Sequence, residues 1–161
     1  MTLRTFSRPA NDRYFEDYEP GAVYDCGSVV VSEAEVIAFA ERYDPQFFHT
    51  DPAAAKDSMF GGLIASGWHT ASMMMRQLVD HYLSSVASLA SPGVDELRWL
   101  APVRPGDTLR VQATVKDARV SKSNPARGVV TGYIEVVNQD GVVVSTVKAV
   151  NLLLTRAGLA R

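Results

Sequence analysis

The spacing of apolar residues changes partway along the chain. In the first half they recur every three or four residues, the period of a helix face. In the second half they alternate, the period of a strand. Cys26–Val31 (CGSVVV) is rich in β-branched residues and reads as a strand ahead of the first helix. Ser32-Glu33-Ala34-Glu35 is then a capping-box pattern, followed by Val36, Phe39, Ala40 and Tyr43 on one face. This helix should end at Asp44-Pro45, because a residue before proline avoids the α region. Asp51–Asp57 predicts a short helix with Asp51 as cap and Pro52 in its first turn. The longest helix is predicted from about Ser66 to Val86. There Met73, Met74, Leu78, Tyr82 and Val86 share a face, and beyond Gly67 there is neither glycine nor proline.

The rest reads as β. Val94–Leu100 leads to a turn at Pro105-Gly106. Thr108–Val120 puts Leu109, Val111, Ala113 and Val115 on one face and Arg110, Gln112 and Thr114 on the other. Gly128–Val137 and Val142–Leu154 follow, joined by Asn138–Gly141, which carries an Asp-Gly hairpin signal. Early helices, one long central helix and about four antiparallel strands predict an α+β layout with a curved sheet wrapped around one helix. One sheet covers such a helix on one side only, so association with a second copy is expected.

Length supports a single domain over residues 1–161, with residues 1–13 as a loose arm. A composition of 47% hydrophobic and 21% charged residues argues against long disordered tails. A net charge of −2 argues against nucleic acid as partner, since that affinity needs a broad basic field. With Cys26 as its single cysteine the chain forms no internal disulfide, and Cys26 reads as a packed small residue. The N-terminal segment lacks a signal-peptide core, and no run reaches the roughly 18 apolar residues that span a bilayer. The expectation is a soluble cytoplasmic protein with no membrane partner.

The segment Tyr43–Pro52 (YDPQFFHTDP) sets Asp44 and His49 five positions apart in apolar, turn-like surroundings. Two readings follow from the residues alone. Asp44 before proline is a common turn former and His49 a satisfied structural histidine, or the two are a proton-handling pair whose electrostatics an apolar setting strengthens. Asp51 is better explained as a helix cap than as a ligand, and no Cys/His cluster or ligand spacing points to a metal.

The stretches RYDPQFFHTDPAAA, FGGLIASGWHT, LRWLAPVRPGDTL and SKSNPARGVV, in this order and spacing, resemble the MaoC-like dehydratase family, known for (R)-specific enoyl-CoA hydratases. The resemblance covers roughly residues 14–155. It implies a hot-dog fold, an antiparallel sheet around a long central helix, as a homodimer or dimer-based oligomer. It implies a hydratase or dehydratase interconverting a trans-2-enoyl thioester and a (3R)-3-hydroxyacyl thioester, carried by CoA or acyl carrier protein, without metal or redox cofactor. Asp44 and His49 fill the catalytic positions, and Gly67, 18 residues past His49, fills the family glycine. A glycine N–H at a helix start is a natural oxyanion donor. Gln46, Phe48, Ser66, Trp68 and His69 are the implied substrate-contacting residues, with His69 either lining the pocket or sitting in the helix core. Two positions depart from the family pattern: Gln46 replaces its Asn, and Ser66 replaces the His before the glycine. Phe47 and Phe48 are expected to exclude water, and Arg104, Lys116, Arg119, Lys122 and Arg127 are candidates for CoA phosphates. The alternatives are a hot-dog thioesterase, whose carboxylate commonly sits on the long helix, and a non-catalytic acyl-binding subunit.

Overall fold

The computed structural model describes residues 2–160, with side chains through Gly158. A six-stranded sheet wraps one long helix. The strands are β1 (Leu3–Arg4), β2 (Val23–Val30), β3 (Ser88–Trp99), β4 (Thr108–Val120), β5 (Arg127–Val137) and β6 (Val143–Leu154). The helices α1 (Glu33–Tyr43), α2 (Phe47–Thr50), α3 (Pro52–Ala55) and α4 (Gly67–His81) fall between β2 and β3. Strand order is β1-β2-β4-β5-β6-β3, antiparallel except where β1 runs parallel to β2. This is the hot-dog arrangement expected from the motif order.

Alternation decides which face of the sheet meets α4. Leu109, Val111, Ala113 and Val115 of β4 and Val130, Ile134 and Val136 of β5 are buried, and they enclose Met73, Met74, Leu78 and Tyr82. Each of the Val, Leu, Ile and Met side chains removed from water contributes about 1.5–3 kcal/mol before conformational entropy is subtracted. Cys26 is fully buried in the same core, where burial pushes its thiol up to about 12. It is a packing residue. The opposite side of α4 is less covered: Met75 and Val79 are about half exposed.

Three boundaries differ from expectation. Helix α4 ends at His81, five residues before Val86, because Arg13 caps it there. The Arg13 guanidinium donates to the carbonyls of His81 and Tyr82 at 3.1 and 2.9 Å, a cation on the negative end of the helix dipole. Tyr18 Oη also donates to the Tyr82 carbonyl, at 2.8 Å. The arm at residues 1–13 is therefore not loose. Leu3 and Arg4 pair with β2, Phe6 stacks on Tyr24 with centroids 3.9 Å apart, and Arg13 is buried. Strand β3 begins at Ser88, earlier than Val94, because β6 is long enough to pair with it back to Leu153. Among the described residues no helix is long and apolar enough to cross a membrane.

Candidate active site

Helix α1 stops where Pro45 demands it, with Asp44 at its C-cap outside the helical region. One turn later α2 buries His49, while Asp51 caps α3 through bonds from the Ala53 and Ala54 N–H groups. The chain then runs extended past Ile64 and Ala65, held on both sides. Ile64 N–H donates to the Phe48 carbonyl at 3.1 Å and Ala65 N–H to Val103 at 2.8 Å. Ser66 caps α4, accepting from Trp68 N–H at 3.3 Å.

These elements bring Asp44, His49, Ser66 and Gly67 together. His49 Nδ1 lies 2.8 Å from the Ile64 carbonyl. A carbonyl only accepts, so Nδ1 carries the proton and Nε2 of the neutral ring keeps its lone pair. That Nε2 faces Asp44 Oδ2 at 3.4 Å. Asp44 Oδ2 accepts from Ser66 Oγ at 2.7 Å, and Oδ1 accepts from Gln46 Nε2 at 2.7 Å. The Ser66 hydroxyl first, then the Gln46 amide, and the charge of His49 when its ring is protonated, hold the Asp44 carboxyl below its ordinary 3.8, against the opposing effect of burial. Its partners are side chains, so it is not a turn aspartate spent on nearby backbone N–H groups.

A cavity of about 330 Å³ opens beside the pair. His49, Gly67 and Phe48 line it, with Phe60, Ile64, Thr70, Trp99 and Val144. Its walls are largely apolar. Gly67, first in α4, has no acceptor for its N–H within the helix. Trp99 closes over this glycine: its Nε1 donates to the Gly67 carbonyl at 2.9 Å, and a Cβ at position 67 would overlap the indole. Asp44 is not among the lining residues and meets the cavity through His49, 3.4 Å away.

The residues expected to touch substrate divide. Phe48 lines the cavity, and Phe47 stacks on it edge to face at 5.2 Å. Gln46 and Ser66 bond Asp44 instead. Trp68 lies outside the cavity lining, half exposed, against Trp99 at 5.3 Å. His69 points away, stacked on Phe39 at 4.8 Å beside a second cavity of about 450 Å³ between α1 and α4. Burial lowers its pKa. None of Met73, Met74 or Met75 lines the first cavity.

Trp99, Thr70 and Val144 were not singled out from the sequence. Trp99 lies inside the quoted LRWLAP stretch, where a large aromatic ring just before a Pro-containing loop was the available signal. Of the basic residues, Arg104 donates to the carbonyl of Phe60 in the cavity wall at 2.5 Å, and Lys116 lies over the Tyr133 ring. Arg119, Lys122 and Arg127 lie at the other end of the β4–β5 hairpin, roughly 35 Å along the strand from Thr108.

Known proteins share both sequence and architecture with this chain. A model of the MaoC-like domain matches residues 17–139. The chain is 32% identical to Protein MaoC of Klebsiella aerogenes over 71% of its own length and 34% of that protein. It is 38% identical to mesaconyl-CoA hydratase of Cereibacter sphaeroides over 80% of its own length and 37% of that protein. It thus spans about a third of the length of these two relatives. The crystal structure of a MaoC-like dehydratase from Rhodospirillum rubrum superposes with a TM-score of 0.81 at 41% identity, covering 89% of this chain and 98% of that one. Agreement over 98% of that chain, joined to the domain match, means that this chain belongs to the MaoC-like dehydratase family.

Proposed function

We propose that this protein is a hydratase, or in reverse a dehydratase, acting on a trans-2-enoyl thioester to give the (3R)-3-hydroxyacyl thioester. One observation carries the reading: Asp44 and His49 meet beside an apolar cavity that His49 lines together with Gly67, the first residue of α4, whose N–H has no acceptor within the helix. A water placed between the cavity and the pair would have two candidate acceptors, His49 Nε2, whose ring lines the cavity, and the Asp44 carboxylate 3.4 Å from it. One of them takes its proton as the oxygen bonds to C3 of the enoyl group. The C2–C3 π electrons move into the thioester, forming an enolate whose oxygen accepts from Gly67 N–H. A proton returned by the pair to C2 completes the addition. An oxyanion donor of this kind is worth roughly 3–4 kcal/mol. The cavity walls favour an uncharged acyl group, and CoA is the proposed carrier, with Arg104 the candidate nearest the wall for its phosphates. The reaction needs no metal or redox cofactor. A two-fold dimer is proposed through β3, whose outer edge is unpaired and whose Val94 is exposed, alongside Met75 and Val79 of α4.

The thioesterase alternative fits less well. Asp80, the carboxylate of α4, sits near the far end of the helix and is bonded to Arg76. The test is loss of enoyl-thioester ultraviolet absorbance across short, long and branched 2-enoyl-CoAs, with a thiol reagent in parallel. Absorbance loss without thiol release in wild type, and none in Asp44→Asn, is the expected result. Free thiol would make the protein a thioesterase. Silence in both channels across the panel would sink the hydratase reading.

A further inference from the structure

We propose that Ser66 is a positioning residue. Its buried hydroxyl ties the Asp44 carboxylate to the first turn of α4, so that the proton-handling group and the oxyanion donor are held as one rigid body. The idea rests on the hydratase reading above. Its geometry is specific. Ser66 is 0% exposed. Its Oγ lies 2.7 Å from Asp44 Oδ2 and 3.3 Å from Trp68 N. The Trp68 N–H can only donate, so the hydroxyl accepts there and must direct its own single hydrogen to Asp44. The direction of that bond is therefore fixed, and it requires the carboxylate as acceptor.

Three consequences follow from this arrangement. Oδ2 is pinned beside His49 Nε2, at 3.4 Å, and cannot rotate away without breaking a charge-assisted bond. The same hydroxyl helps set the peptide after Gly67, whose carbonyl is taken by Trp99 Nε1 at 2.9 Å, while the preceding peptide, which carries the Gly67 N–H, is held by its Ser66 carbonyl accepting from Thr70 N–H at 3.0 Å. Ser66 itself does not line the cavity, so its effect should fall on turnover rather than on substrate affinity. The second donor to Asp44, Gln46, is solvent-exposed and so contributes less to holding the carboxylate.

The test uses Ser66→Ala, Ser66→Gly and Ser66→Thr in the full chain, with a trans-2-enoyl-CoA that the wild type hydrates. Ala and Gly both delete the donor, but Gly is well tolerated as a helix cap and Ala is not. Loss of the hydroxyl is thereby separated from loss of the cap. The expected result is that kcat falls about ten- to a hundredfold in both, as for a lost hydrogen bond to a charged group. KM should stay within about twofold of wild type, the acid limb of kcat should move to higher pH, and Thr should restore both. If Thr does not fold in so buried a site, the Ala and Gly pair decides. Wild-type kcat and acid limb in Ala and Gly, or a kcat loss that follows melting temperature across the two, overturns the proposal. Carbon NMR titration of Asp44 reads the same link without turnover. An Asp44 titration unchanged in Ser66→Ala defeats the Ser66 role even if hydration is established. A shifted titration with no hydration of any enoyl-CoA defeats the hydratase reading alone.

Discussion

Trp99 and Gly67 are in closer contact than any other residue at position 67 would permit: the indole N–H donates to the glycine carbonyl at 2.9 Å, and the ring covers the space a Cβ would need. In the proposed mechanism the residue that lets a thioester approach the helix start is also the one that lets a tryptophan lock it. Gly67→Ala is therefore expected to displace either the indole or the first turn of α4. Overpacking of this kind costs about 1–3 kcal/mol, and misaiming the N–H should lower kcat by roughly 10²–10³. Wild-type kcat in a folded Gly67→Ala protein would remove the oxyanion role.

Trp99→Phe keeps most of the ring and deletes the bond to the carbonyl. A stability loss of about 1 kcal/mol by denaturant unfolding is expected, with a larger effect on kcat than on KM. Equal kinetics in the two proteins would mean that packing alone holds the turn.

His49→Ala should abolish hydration, since an acid–base group contributes roughly 10²–10⁴ in rate. It also strips the Ile64 carbonyl of its partner in a buried setting, which costs about 1–3 kcal/mol. Circular dichroism alongside the rate assay separates the two effects. A folded His49→Ala protein with near-normal turnover would make His49 structural only.

The Asp44 carboxyl titrates below its ordinary 3.8 chiefly because Ser66 donates to it. A group whose pKa is depressed by folding contributes stability that is fully present above its unfolded value and lost as pH falls through the folded one. Melting temperatures of wild type and Asp44→Asn should therefore differ by a constant amount near neutral pH and converge in acid, below about pH 4. A gap that persists unchanged into strong acid would show that Asp44 carries no such linkage.

Arg13→Met removes the cation that closes α4 on the His81 and Tyr82 carbonyls. A loss of roughly 2–4 kcal/mol is expected from a buried, charge-assisted cap. Turnover per folded molecule should be preserved, because the far end of the helix holds the site. An unchanged melting temperature would contradict the capping role.

Much of this was legible in the chain because it is local. The β4 strand keeps its expected ends, Thr108 and Val120, because alternation and a Pro-Gly turn bound it. The Asp44–His49 pair was legible because a proline stop and one helical turn are enough to bring the two together. What escaped depends on long-range placement. Ser66 meets Asp44 from 22 residues away, so its hydroxyl was taken for a substrate contact. His69 is two positions beyond Gly67, and two helical residues turn a side chain through about 200°, which carries it to the opposite face of α4. The N-terminal arm reads as polar and unstructured until Phe6 and Arg13 find Tyr24 and the end of α4.

Strand β3 precedes β4, β5 and β6 in the chain but occupies the sheet edge beyond β6, pairing Ser88 with Leu153 and Trp99 with Ser145. Its one neighbour in the sheet is β6, the last strand in the chain, so it has nothing to join until β6 is in place. Closing such a distant pair is slow, because the loop entropy is lost before any contact rewards it. Trp99 rides on that strand, so the lock on Gly67 can snap shut only in the last stage of folding. Maturation of catalytic competence should therefore lag behind the burial of the central helix in a refolding experiment.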